Sequence, residues 1–194
     1  DDRRRQLVRR RECVQHVGVA VARDGRVLAA ASETGERTTH AFGMIEKVLA
    51  DARLERGQIE TLAVGLGPGS YAGIRVALSI AQGWQLAVGV KLLGISSVEA
   101  IVAQAQAEKI FGRVAVVIDA QRGEFYLATY EIEPGGWKPV EPLRIVALAD
   151  VAAHAAAGEI IIGPEVTRWF PGGRMIFPTA AALAGLAAGR TDFM

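Results

Sequence analysis

The residues best suited to chemistry lie together in Gly65-Leu66-Gly67-Pro68-Gly69-Ser70-Tyr71-Ala72-Gly73-Ile74-Arg75. A glycine-rich turn between an apolar run at 61–64 and a helical run at 74–88 gathers backbone N–H groups at a helix N-terminus. There they can hold a phosphate or a partner's carboxylate. Three known frames fit the turn poorly. A Walker loop needs Gly-Lys-Ser/Thr at a fixed distance from its first glycine, and that triplet is missing. A nucleophile elbow needs G-x-S-x-G, whereas Gly69 directly precedes Ser70. The dinucleotide fingerprint is met loosely by residues 67–72, but no acidic residue ends the next strand at 91–94. Elimination leaves a loop built for shape. Ser70 would need a nearby base to act as a nucleophile, and its alternative is the N-cap of the helix that follows.

Other candidate catalysts are sparse. Asp119 and Glu124 could form an acid pair or simply a polar turn. His16, His40 and His154 stand far apart, with neither H-E-x-x-H nor H-x-x-x-H spacing for a metal. Cys13, the one cysteine, excludes an internal disulfide framework and reads as a passive thiol.

The elements that must position these groups alternate. Residues 17–22 and 26–32 are β-like runs joined across Asp24-Gly25, the signature of a hairpin. Residues 40–54 place apolar side chains at Ala41, Met44, Ile45, Val48, Leu49 and Ala52, a helical period. A strand at 61–64, the glycine loop, the helix at 74–88 and a strand at 91–94 follow. Ser96-Ser97-Val98-Glu99 reads as a capping box opening another helix. The pattern then restarts with strands at 113–118, 124–132 and 137–146, a helix at 147–157, a strand at 159–162 and a helix at 178–188. An α/β unit is thus repeated. Along the helix after the loop, Gly73, Ala77 and Ala81 stack at four-residue spacing as a strip of small side chains ended by Trp84. Arg75, Ser79 and Gln82 form a separate polar edge. The small strip suits either another helix or the lobe's own sheet.

The glycine loop and its helix resemble the signature of the bacterial TsaB (YeaZ) family, written G-P-G-S-[FY]-T-G-[LI]-R. Gly67, Pro68, Gly69, Ser70, Gly73 and Arg75 match it, and Ala72 replaces its threonine. Asp119-Ala120-Gln121-Arg122-Gly123-Glu124-Phe125-Tyr126 is similar to the family's second landmark, D-A-R-[RK]-G-E-[VF]-Y, through Asp119, Arg122 and Glu124. The resemblance runs from about residue 17 to residue 164. It implies the two-lobed actin, Hsp70 and sugar-kinase (ribonuclease H-like) fold, with lobes at 1–110 and 111–194 and the last helix packing back on the first lobe.

It also implies a non-catalytic subunit that binds and stabilises a TsaD-like catalytic subunit beside a TsaE-like ATPase. That assembly places threonylcarbamoyl on the adenosine beside the tRNA anticodon. No cofactor is expected on this chain alone; ATP and metal belong to the partners. The family's helix-pair contact, used for a weak homodimer or for TsaD, maps to Met44, Lys47, Val48, Gly73, Ala77, Ala81 and Trp84. The absence of TsaD's histidine pair separates this chain from the catalytic relative. Its first strand is atypical or missing. The D-T-S-like acidic loop expected near residues 6–13 is replaced by Gln6-Leu7-Val8-Arg9-Arg10-Arg11-Glu12-Cys13, which counts against independent ATP hydrolysis. The alternative function is a stand-alone enzyme of the same fold, an ATP-dependent kinase or a glycoprotease-like peptidase.

Composition bounds these readings. At 194 residues and 51% hydrophobic, the chain can bury a substantial core. A net charge of +1 argues against a whole-surface nucleic-acid binder. Arginine is concentrated at Arg3, Arg4, Arg5, Arg9, Arg10 and Arg11, so the rest is slightly acidic. That run reads as a solvated or non-native arm, with tRNA phosphate contact as the alternative. No apolar run has the length of a membrane span, and a cytoplasmic location is expected.

Overall fold

The computed structural model describes residues 15–35 and 40–194. Cys13, the arginine run and the replaced acidic loop lie outside the described residues. Strands β1 (Gln15–Arg23) and β2 (Arg26–Gly35) form an antiparallel hairpin. Its turn residues Asp24 (φ 51°) and Gly25 (φ 76°) both take the positive φ that a tight two-residue turn demands. Helix α1 (Ala41–Ala52) buries Ala41, Met44, Val48 and Leu49, and Arg53 ends it in the left-handed region. Then β3 (Thr61–Gly65), α2 (Tyr71–Val88) and β4 (Lys91–Ile95) make a β-α-β unit with the strands parallel. Gly89 stops α2 at φ 76° by returning its N–H to the Gln85 carbonyl.

Helix α3 (Ser97–Ala107) leads into the second half. The expected capping box does not form there. Ser96 Oγ accepts the Val98 N–H at 3.2 Å, while the Glu99 carboxylate pairs with Arg190 at 2.9 Å. A long-range ion pair outcompetes the local one, which sequence spacing cannot register.

Strands β5 (Gly112–Gln121), β6 (Glu124–Glu133) and β7 (Gly136–Ala147) form an antiparallel meander. After α4 (Leu148–Ala156), β8 (Ile160–Gly163) returns parallel to β5, and the short β9 (Arg174–Met175) adds to β8. The sheet order is β7-β6-β5-β8-β9. Strand β5 is its spine, with residues 114–118 buried consecutively. Val114, Val116 and Ile118 face α3 with Ile101, Val102 and Ala105. Ala115 and Val117 face Val151 of α4 and the T-shaped Phe125–Trp169 pair. Each fully buried valine, leucine or isoleucine here contributes about 1.5–3 kcal/mol of transfer free energy. The last helix, α5 (Ala180–Ala187), lies against β1, β2, β3, β4 and α3. Among the described residues no helix is long and apolar enough to cross a membrane.

Candidate functional site

The glycine loop joins β3 to α2 and is held at both ends. Leu66 donates its N–H to the Ile95 carbonyl at 2.8 Å, and the Gly67 carbonyl accepts the Ser97 N–H at 2.8 Å. The loop is therefore pinned to the start of α3. Gly67 sits at φ +90°, and a Cβ there would come within 2.8 Å of Ile74 Cδ1, so the position demands glycine. The Gly67–Pro68 peptide is cis. Ser70 is the N-cap of α2: its Oγ accepts the Gly73 N–H at 3.3 Å and its carbonyl accepts the Ile74 N–H at 3.0 Å. The hydroxyl thus occupies a donor that a phosphate would use. Arg75 stacks over the Tyr71 ring at 5.5 Å from its centroid, at the exposed first turn.

Helices α1 and α2 answer the question left by the small strip. Met44 (3% exposed), Val48 (0%) and Ala81 (3%) are buried inside the lobe, so none of them is surface for a partner. Ala77 and the half-buried Trp84 pack with Val64, Val90 and Leu92 under β3 and β4, and Trp84 also reaches the Val21–Val48–Leu49 cluster. Gly73 is half-buried at the capped first turn. Ala77 and Ala81 serve close packing of α2 on its own sheet, so the strip is not the partner contact that the family resemblance implied. Of the expected interface residues only Lys47 is exposed, and it pairs with Asp51 one turn away.

The opposite faces are unusually apolar. Phe42 (68% exposed) on α1 and Tyr71 (74%), Val76 (41%) and Leu86 (88%) on α2 stand in solvent. Ala72, Arg75, Val76, Ser79, Gln82, Gly83 and Leu86 share one exposed helical face. The polar edge at Arg75, Ser79 and Gln82 was legible in the sequence. Val76 and Leu86, which share that face at the same spacing, were the missed signal.

The second landmark is the β5–β6 turn. Asp119 Oδ1 accepts the Gln121 N–H at 2.7 Å, so the carboxylate shapes its own hairpin. Gln121 (φ 69°), Arg122 (φ 57°) and Gly123 (φ 85°) follow one another in the left-handed region. Arg122 and Glu124 are exposed at this tip.

A charged cluster that no motif announced lies elsewhere, among β5, β7, α4 and β8. Arg113 Nε meets Glu159 at 2.8 Å, His154 Nδ1 meets the other Glu159 oxygen at 2.8 Å, and Arg144 meets Glu141 at 3.0 Å. The hydrogen bond from Arg144 is the main cause holding the Glu141 carboxyl below its ordinary range, helped by the charges of His154, Arg144 and Arg113 against a desolvation penalty. His154 thus ties α4 to Glu159, the residue just before β8. Among the described residues no three His, Cys, Asp or Glu side chains gather as a metal-holding group.

A family model described as TsaD: tRNA N6-adenosine threonylcarbamoyltransferase matches residues 36–177. The chain is 33% identical over 101 residues to tRNA threonylcarbamoyladenosine biosynthesis protein TsaB of Escherichia coli (strain K12), covering 52% of this chain and 44% of that protein. It is 26% identical over 136 residues to the TsaB protein of Bacillus subtilis (strain 168), covering 69% of this chain and 58% of that protein. The chain therefore spans about half the length of the curated relatives it matches. Among solved structures, YeaZ from Pseudomonas aeruginosa superposes with TM-score 0.78 at 24% identity, covering 92% of this chain and 90% of that one. An uncharacterized protein with similarity to peptidase YEAZ from Pseudomonas aeruginosa superposes with TM-score 0.76 at 26% identity, covering 92% and 89%. Hairpins, parallel returns and these superpositions together give the actin-like, ribonuclease H-like α/β fold. With both sequence landmarks in place on that fold, the chain belongs to the TsaB (YeaZ) family.

Proposed function

We propose that this chain is a non-catalytic subunit of a tRNA threonylcarbamoyladenosine-forming complex, and that it docks a TsaD-like catalytic subunit on the outward faces of α1 and α2. The carrying observation is the exposed apolar set Phe42, Tyr71, Val76 and Leu86 on two helices that meet a common cluster through Trp84. Arg75 and Gln82 supply a polar surround on α2. The landmark side chains support the same reading from the other side. Ser70 is a helix cap and Asp119 a turn former, so each already serves the fold. In this reading ATP and metal are held by the TsaD-like and TsaE-like partners, and tRNA is reached through the complex. The face also supports a weak homodimer when the partner is absent.

The test is reconstitution. The chain is mixed with a TsaD-like subunit, a TsaE-like ATPase, ATP and unmodified tRNA, and threonylcarbamoyl transfer is followed. Co-elution with the TsaD-like subunit and transfer that depends on this chain are expected. Full transfer without it, or no complex at micromolar concentrations, would refute the proposal. The enzyme alternative predicts ATP hydrolysis or peptide cleavage by the purified chain, lost on Ser70→Ala or Asp119→Ala.

A further inference from the structure

The residues that follow α5 run back across the first lobe, from α3 to β4. Gly189 turns the chain at φ 79°, and Arg190 returns its N–H to the Ala187 carbonyl at 3.2 Å. The Arg190 guanidinium then meets Glu99, in the first turn of α3, at 2.9 Å. The Phe193 ring lies 5.0 Å from Lys91 Nζ, at the start of β4. Met194 donates its N–H to the Leu92 carbonyl at 2.8 Å.

The last of these contacts falls on a particular edge. Lys91 donates to the Glu60 carbonyl and the Ile95 carbonyl accepts from Leu66, so Lys91, Leu93 and Ile95 turn their backbone groups toward β3. By the alternation of a parallel ladder, Leu92 and Gly94 turn theirs to the other edge of β4. Met194 takes the Leu92 carbonyl there, as an added strand would. It also reaches the glycine loop. A Cβ on Gly94 would collide with Leu66 Cδ1 and stand 3.0 Å from Met194 Sδ, so Leu66 and Met194 together cover Gly94. Leu66 is the first residue of the loop after β3, and its N–H is one of the two bonds that pin the loop.

Glu99 has a second partner within reach of its own helix. Ser96-Ser97-Val98-Glu99 has capping-box spacing, in which the Glu99 carboxylate accepts the Ser96 N–H. In the structure that carboxylate serves Arg190, and Ser96 Oγ accepts the Val98 N–H. Release of Arg190 therefore leaves Glu99 a local donor rather than none. The same turn of α3 holds the loop, because Ser97 donates its N–H to the Gly67 carbonyl at 2.8 Å. The contacts of residues 189–194 are partly solvated and individually weak. The Arg190 and Glu99 side chains are 29% and 27% exposed, and Phe193 and Met194 are 40% and 54% exposed.

We propose that residues 189–194 are a releasable strap with two states. Closed, the strap keeps Glu99 away from the α3 cap and packs Met194 beside Leu66. Open, Glu99 swings to the Ser96 N–H, and that local bond offsets the lost ion pair. Leu66 then loses its neighbour, and the base of the glycine loop loosens. One carboxylate exchanging a distant partner for an adjacent one thus links the strap to the loop that launches α2.

The inference is independent of partner docking on α1 and α2, and its test is amide exchange followed residue by residue by NMR on the full chain. Arg190→Ala is expected to speed the Met194 amide at least about tenfold and the Leu66 amide at least about threefold relative to the parent. The Ser96 amide should slow at least about threefold in the same variant, as Glu99 caps it. Glu99→Ala also frees Arg190, so it should reproduce both accelerations without the slowing. A Met194 amide unprotected in the parent would overturn the proposal. So would a Leu66 amide that does not respond to Arg190→Ala, or a Ser96 amide that fails to slow in it or slows equally in Glu99→Ala. Should Arg190→Ala fail to fold, Arg190→Gln, which keeps the length of the stem and removes the charge, is read in its place against the same outcomes.

Discussion

Single residues in the glycine loop act through backbone geometry. Gly67 combines φ +90° with a side chain 2.8 Å from where a Cβ would stand, so Gly67→Ala should lower stability by about 1–3 kcal/mol in thermal or urea unfolding. Ser70→Ala removes the α2 cap and should cost about 1 kcal/mol, with no effect on any reaction beyond that loss. Gly67 and Ser70 were recognisable in the sequence as loop and cap, because turn and cap chemistry is local. The partner of Glu99 was not recognisable, because Arg190 lies far along the chain. Glu141 gives a pH test. Its folded-state pKa lies below the ordinary glutamate value, so its contribution is complete above that value and disappears as pH falls through the lowered one. Denaturant midpoints measured from pH 7 down to pH 3 should fall less steeply at the acid end for Glu141→Gln than for the parent chain.

Elements were legible to the extent that their periodicity was strong. The helices and nearly all of the strands follow from apolar spacing and glycine punctuation, with ends shifted by a residue or a few. Strand β9 escaped because two residues, Arg174 and Met175, carry no period. Which face of α2 meets the sheet was not legible. A strip of glycine and alanine suits a neighbouring helix and an underlying sheet equally, and only the position of β3 and β4 decides. The two faces now separate experimentally. Ala81→Arg forces a charge against Val64, Val90 and Leu92 and should destabilise the lobe by about 3 kcal/mol or more. Val76→Arg, on the outward face, should leave the unfolding midpoint within about 0.5 kcal/mol of the parent.

At the scale of the molecule, two repeated α/β halves present helices α1 and α2 beside a loop that resembles a phosphate cradle and is instead pinned to α3. The resemblance carried by the two landmarks held, and with it the fold. What the sequence could not reveal was that Met44, Val48 and Ala81 lie inside the lobe, since burial is a property of the assembled layers. The account therefore rests on the outward face of α2. Its most direct test is a titration of a TsaD-like subunit with the parent chain and with Leu86→Arg, a substitution at a side chain 88% exposed. Micromolar or tighter binding by the parent and a loss of about tenfold or more in the equally stable variant is the predicted result. Equal affinity of the two proteins would contradict it.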